Sequence, residues 1–287
     1  MEAYGMIESL GSLIGLLPFD WVEYAFMQRA FIGVILLAPL FALPGCLVIK
    51  NGMSFFSDAV GHAALTGIAI GVLLGWSSPF WSMILFAALL ALFLSLLRRF
   101  GTAGTDTLIG IIMAGAVSLG IVILSRNGGF TRYSRYLIGD ILGLTSTDLA
   151  LIAAGLLLLV IFFIFFANRL FLTAFNRSIA HSRGHPVWLE ETLFSVVVAV
   201  TVTAAVQWIG ILVINAFLIL PAATARNLAR SIRGYTFLAT LFALASGLVG
   251  LVLSYYLDTA TGATMVLVCL CFYGLTLLPG IRGNRAI

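Results

Sequence analysis

Asp58 and His62 stand four residues apart in an apolar stretch, Met53-Ser-Phe-Phe-Ser-Asp-Ala-Val-Gly-His-Ala-Ala-Leu-Thr-Gly67. On a helix, that spacing sets both side chains on one face, one turn apart. A carboxylate and an imidazole aimed the same way supply half of a coordination shell for a divalent transition metal. Ionisable groups at membrane depth are costly, which makes each one a functional candidate. The competing reading treats both as polar groups satisfied by neighbouring helices, with Asp58 close to the water boundary. A second pair, His181 and His185, repeats the spacing in a polar segment. There, Gly184 between the histidines and Pro186 after them break a regular helix, which weighs against a metal role.

The elements that must position Asp58 and His62 are membrane helices. Apolar residues make up 62% of the 287 and charged residues 9%, which excludes a soluble globular domain. The apolar runs approach twenty residues and lack strict alternation, so helices rather than a barrel are expected. Nine crossings are predicted, at about 28–48, 54–75, 79–97, 107–125, 149–167, 192–209, 211–225, 236–256 and 263–279. The sixth and seventh are parted only by Trp208-Ile-Gly210, and several runs are short enough to be broken. The expected fold class is an all-α polytopic bundle of about eight to nine spans. Cys46, Cys269 and Cys271 lie in apolar stretches and suggest neither a disulfide framework nor a zinc knuckle. The acidic start lacks the features of a secretory signal. Residues 1–25 read as an extracytoplasmic interfacial segment with Trp21 and Tyr24 at headgroup level, and 26–287 as a single transmembrane domain.

Basic residues set the direction. With the amino terminus outside, the inner segments hold Lys50, Arg98, Arg99, Arg169, Arg177, Arg183, Arg226, Arg230, Arg233, Arg282 and Arg285, eleven of the 15 basic residues. Only Arg29, Arg126, Arg132 and Arg135 remain outside, and the positive-inside rule selects this arrangement, with a cytoplasmic carboxyl terminus. The second span then enters from the cytoplasm near Gly52. At ~1.5 Å per residue, Asp58 lies about 9 Å and His62 about 15 Å along it. In a hydrocarbon core of ~30 Å, His62 falls near the midplane, where transporters hold cargo. Gly67, Gly71 and Gly75 form a small-residue stripe on the same span, suited to close packing in a bundle or across a dimer axis.

Residues 168–191 form the longest inner loop, mixing Phe171, Phe175 and Trp188 with Arg177 and Arg183. A short amphipathic helix ending at Gly184 is expected there, suited either to a partner protein or to anionic lipid. The chain's one lysine, Lys50, lacks the Gly-Lys-Ser/Thr context of a P-loop, so any ATP-driven motor must be another polypeptide. No hydrolase or metalloprotease motif supports an enzyme.

Four segments together resemble the membrane permease subunits of bacterial ABC importers for zinc, manganese and iron(II). They are residues 53–67; Asp106-Thr-Leu-Ile-Gly-Ile-Ile-Met113; Tyr136-Leu-Ile-Gly-Asp-Ile-Leu142 with Thr147-Asp148; and Ile209-Gly-Ile-Leu-Val-Ile-Asn-Ala-Phe-Leu-Ile-Leu-Pro-Ala-Ala-Thr-Ala-Arg226. Asp258-Thr-Ala-Thr-Gly262 is similar to the family's outer loop, and the likeness runs over about residues 28–280. The resemblance implies a type II ABC importer-like fold in a bacterial inner membrane. It also implies two permeases (identical or paralogous), cytoplasmic ATP-binding subunits, an extracytoplasmic metal-binding protein, and no nucleic-acid partner. Asp58 and His62 match the positions that contact the ion in transit, and Ala180, His181 and Gly184 lie in the helix that couples to the ATPase. No cofactor is expected to be resident; the metal is cargo, and ATP is bound by the partner. Pro221 is expected to break the seventh span. Ser57 and Gly61 depart from the usual neighbours of the aspartate and histidine, and Met113-Ala-Gly115 stands where some zinc permeases carry a further histidine. A proton-coupled secondary transporter, with Asp58 and His62 as a relay, is the alternative. A membrane scaffold that tolerates replacing both is a third reading.

Overall fold

The computed structural model describes residues 19–76, 78–100, 104–126 and 139–278, with Arg126 described in its backbone alone. No strand occurs among them. Nine α-helices do: α1 (Ala25–Lys50), α2 (Phe56–Leu73), α3 (Pro79–Phe100), α4 (Thr105–Arg126), α5 (Ser146–Phe175), α6 (Arg177–Ser182), α7 (Val187–Leu228), α8 (Ile232–Leu257) and α9 (Thr261–Leu275). Seven of these, all but α6 and α9, are long and apolar enough to cross a membrane. The 15 residues of α9 make a shorter apolar helix, about 22 Å at ~1.5 Å per residue.

The expected boundary between the sixth and seventh spans coincides with a break inside α7. At Gly210 the backbone takes φ 76° and ψ 161°, outside the helical region, so two helical segments meet there. That conformation is essentially reserved for glycine. Pro221, by contrast, sits within continuous helix, so the expected break at the proline is corrected to Gly210. A proline removes one N–H from a span, and neighbouring groups can re-satisfy the freed carbonyl; α1 likewise continues through Pro39 and Pro44. The expected inner loop is also shorter than 168–191, because α5 runs to Phe175 and α7 begins at Val187. Most of the 1–25 segment lies outside the described residues, as do residues 136–138 of the third motif segment. Trp21 is buried and stacks on Phe31 at 5.4 Å between centroids.

The residues group into two compact units. One draws on the described parts of 1–46, 140–160 and 212–287, the other on 47–139 and 161–211. Three helices, α1, α5 and α7, contribute to both. In the first unit α8 packs on α9 through glycine: a Cβ on Gly250 would lie 2.5 Å from the Met265 backbone. Its loops are tied locally. Thr145 and Asp148 exchange hydrogen bonds as a capping box at the start of α5, with Asp148 N–H donating to Thr145 Oγ1 at 3.2 Å and Thr145 N–H to Asp148 Oδ2 at 3.0 Å. Asp140 accepts from Leu142 N–H at 3.0 Å and Ser231 from Gly234 N–H at 3.1 Å.

In the second unit α2 packs on α3 and on α4. The glycine stripe faces α3: a Cβ on Gly67 would come 2.7 Å from Met83 Cα, and one on Gly71 would overlap Ser82. The two alternatives for that stripe thus resolve to packing within the chain. Gly75 has φ 69° and closes α2 with a Schellman pair, Trp76 N–H to Gly71 C=O and Gly75 N–H to Val72 C=O. On the opposite side, Gly120 of α4 lets Thr66 approach closely enough for its hydroxyl to donate to the Ala116 carbonyl.

Candidate functional site

Helix α2 is buried almost all round; Ser57, Ala59, Val60, Gly61, Ala63 and Ala64 are all enclosed. The exceptions in this region are the two ionisable residues. His62 and Asp58 keep 41% and 32% of their side chains accessible, and His62 Nε2 lies 3.4 Å from Asp58 Oδ1. That separation is long for a charge-assisted hydrogen bond, which prefers about 2.7–2.9 Å. It equals the edge of a tetrahedron, about 3.4 Å, drawn around an ion with bonds of ~2.1 Å. Two ligand atoms already at that spacing can close on a dication without moving apart. Among the described residues no group of three or more His, Cys, Asp or Glu side chains is poised to hold a metal.

What borders the pair is a backbone break. A Cβ at Gly61, one residue before His62, would lie 3.2 Å from the Ile211 side chain, so the missing methyl leaves room for the start of the second α7 segment. Gly139, at φ 63°, presses its backbone against Gly210, and a Cβ there would overlap the Gly210 amide. Residues of three motif segments therefore converge near the α7 break, Gly139 on Gly210 and Gly61 on the neighbouring Ile211. Irregular backbone in a membrane protein survives only where protein encloses it or where it lines a wet cavity. The sequence flagged Gly210 as a separator, but nothing in it paired Gly210 with Gly139.

The residues of the 168–191 segment take a different arrangement. Helix α6 starts at Asn176, whose side chain accepts from Ile179 N–H at 3.0 Å, and ends in a Schellman turn. Gly184 N–H donates to His181 C=O at 2.9 Å and His185 N–H to Ala180 C=O at 3.1 Å, with Gly184 at φ 76°. Ala180 is buried, while His181 and Gly184 are exposed. The turn carries His185 off the helix face of His181. His185 Nδ1 instead meets Glu190 Oε1 at 3.0 Å, and Thr173 donates to Glu190 Oε2 at 2.7 Å. Glu190 is buried and was not singled out from the sequence; its only signal was an acid in the first turn of an apolar helix.

Residues 23–279 match the ABC 3 transport family. The chain belongs to that family. It is 31% identical over 257 residues to the manganese transport system membrane protein MntC of Halalkalibacterium halodurans, covering 88% of this chain and 87% of the relative. It is 31% identical over 243 residues to the high-affinity zinc uptake system membrane protein ZnuB of Haemophilus influenzae, covering 83% and 91%. Among solved structures, it superposes on a chain of PsaBC from Streptococcus pneumoniae in complex with Fab with a TM-score of 0.78, at 28% identity and 96% coverage of both chains. An inward-facing metal-chelate type ABC transporter shares the fold alone, with a TM-score of 0.66 at 14% identity. The family assignment accords with the motif resemblance, and the helical, multi-span architecture is that of an ABC permease.

Proposed function

We propose that this chain is the membrane-spanning subunit of an ATP-driven importer for a divalent transition metal, manganese or zinc with iron(II) as a further cargo. The observation that carries the reading is the 3.4 Å Asp58–His62 pair, partly accessible on a stretch of helix whose neighbouring residues are buried. Relatives named for manganese and zinc transport support the cargo class. A carboxylate from Asp58 beside the imidazole of His62 offers a dication one hard and one borderline donor. A transit site must also release its cargo, and two ligands per chain favour release over permanent capture.

ATP is hydrolysed by separate cytoplasmic subunits in this reading, since Lys50 is the chain's one lysine and lies outside any P-loop. Residues Ala180, His181 and Gly184 lie in or directly after α6, the short helix that transmits motion from those subunits; the His185–Glu190–Thr173 bonds fasten the turn behind it to α5 and α7. An extracytoplasmic binding protein delivers the ion, and alternating access moves it inward across a bacterial inner membrane, with the amino terminus outside. Membership of an ABC family favours this over the proton-relay alternative.

Uptake of radiolabelled manganese and zinc by cells carrying Asp58→Ala or His62→Ala tests the reading. With membrane levels of the variants matched by immunoblot, uptake should fall at least tenfold for the true cargo. Near-normal uptake in both variants would remove Asp58 and His62 from the path.

A further inference from the structure

At one end of the second unit, beside α6, lie two adjoining cavities of about 550 Å³ and 530 Å³ that share Arg98, Thr105 and Arg177 as walls. Their lining is strongly basic. Lys50, Arg98, Arg99 and Arg177 all contribute, against one lining carboxylate, Glu191, and that group is taken by Arg177 at 2.8 Å. Among the described residues the other three cations have no carboxylate within ion-pair reach. Arg98 directs Nη1 at Met53 Sδ at 3.2 Å, the Arg99 guanidinium lies 5.0 Å over Trp188, and Lys50 Nζ lies 3.8 Å over Phe175. A sulfur and aromatic faces engage few of the N–H donors that these groups carry, so most of that capacity remains for an anion.

The same cavity adjoins apolar surface. Helices α3 and α7 meet at Ser95, which bonds to the Thr192 hydroxyl and accepts from the Trp188 indole at 3.4 Å. Leu189 lines the cavity itself, and Leu92 and Leu96, within one turn of Ser95, and Leu193, next to Thr192, are exposed. A soluble phosphate has no use for such leucines, whereas a molecule with a phosphate at one end and acyl chains at the other uses both. Basic pockets at the ends of membrane helices attract anionic headgroups.

We propose that this cavity binds the phosphate headgroup of an anionic phospholipid, with Arg98 and Arg99 holding the phosphate and the α3–α7 leucines receiving the acyl chains. The site is separate from the Asp58–His62 pair and does not depend on which ion is carried.

Native mass spectrometry of the purified permease with its partner subunits, titrated with phosphatidylglycerol, phosphatidylcholine or inorganic phosphate, tests it. Two arginines should favour phosphatidylglycerol over phosphatidylcholine roughly thirtyfold. In Arg98→Gln/Arg99→Gln the preference should fall to about twofold or less, while Arg98→Lys/Arg99→Lys keeps most of it. Unchanged phosphatidylcholine binding and melting temperature certify that the double variant is folded; if they change, the exposed single variant Arg99→Gln should show an intermediate loss. Equal binding of the two lipids, or a preference unaltered by removing the charges, overturns the proposal. So does displacement of the lipid by millimolar inorganic phosphate, which would mark a soluble ligand. A preference that appears only after the partner subunits are stripped away would assign the cavity to acidic groups of a partner instead.

Discussion

Asp58 and His62 could be read from sequence because their relation is local: four residues on a helix fix both face and distance within narrow limits. Gly210 is the opposite case. Its departure from helix depends on Gly139, which lies 71 positions earlier and whose backbone occupies the space a side chain would need. Replacing Gly210 with alanine forces a Cβ into a conformation that L-residues avoid, and should destabilise the protein by about 1–3 kcal/mol. Gly155→Ala makes the control, since nothing lies within 4 Å of the Cβ it would add and α5 is regular helix there. That change should be neutral or stabilising by up to about 1 kcal/mol. Melting curves of the detergent-purified proteins separate the two; equal melting temperatures would mean that Gly210 is not held in its unusual conformation.

Among the elements, α6 shows how a six-residue helix keeps its place. Its cap and its Schellman turn are local, but the anchor is Glu190, a buried carboxylate that binds His185 on one oxygen and Thr173 on the other. Glu190→Ala leaves the buried Thr173 hydroxyl without its acceptor, a loss of about 1–3 kcal/mol, and frees the turn after α6. Limited trypsinolysis at the exposed Arg183 should speed up severalfold in Glu190→Ala and stay close to wild type in Glu190→Gln, which retains an acceptor. Identical digestion of wild type and Glu190→Ala would show that the turn is fastened elsewhere. The α7 helix teaches a related lesson. Proline was the residue expected to break it, yet a membrane helix absorbed Pro221 and parted instead at a glycine against which another backbone segment presses.

For the whole molecule, the proposed reading gives a metal two side-chain donors per chain, and among the described residues no group of three or more His, Cys, Asp or Glu is assembled. Zinc takes four ligands and manganese prefers six. Two copies facing one another would present two carboxylates and two imidazoles. Metal analysis of the purified importer, trapped with cargo, should therefore return one ion per two permease chains. One ion per chain would show that each copy completes its own shell from backbone oxygens and water.

Hydropathy and spacing were enough to establish a helical membrane protein and the approximate limits of its spans, and to set Asp58 and His62 on one helix face, because all of these follow from properties a segment carries alone. The direction in which the glycine stripe faces, the burial of Trp21, the anchoring role of Glu190 and the site of the α7 break could be learned only once distant segments were seen in contact. Each depends on how closely two backbones can approach, or on which buried polar group finds a partner, and neither quantity is a function of local composition.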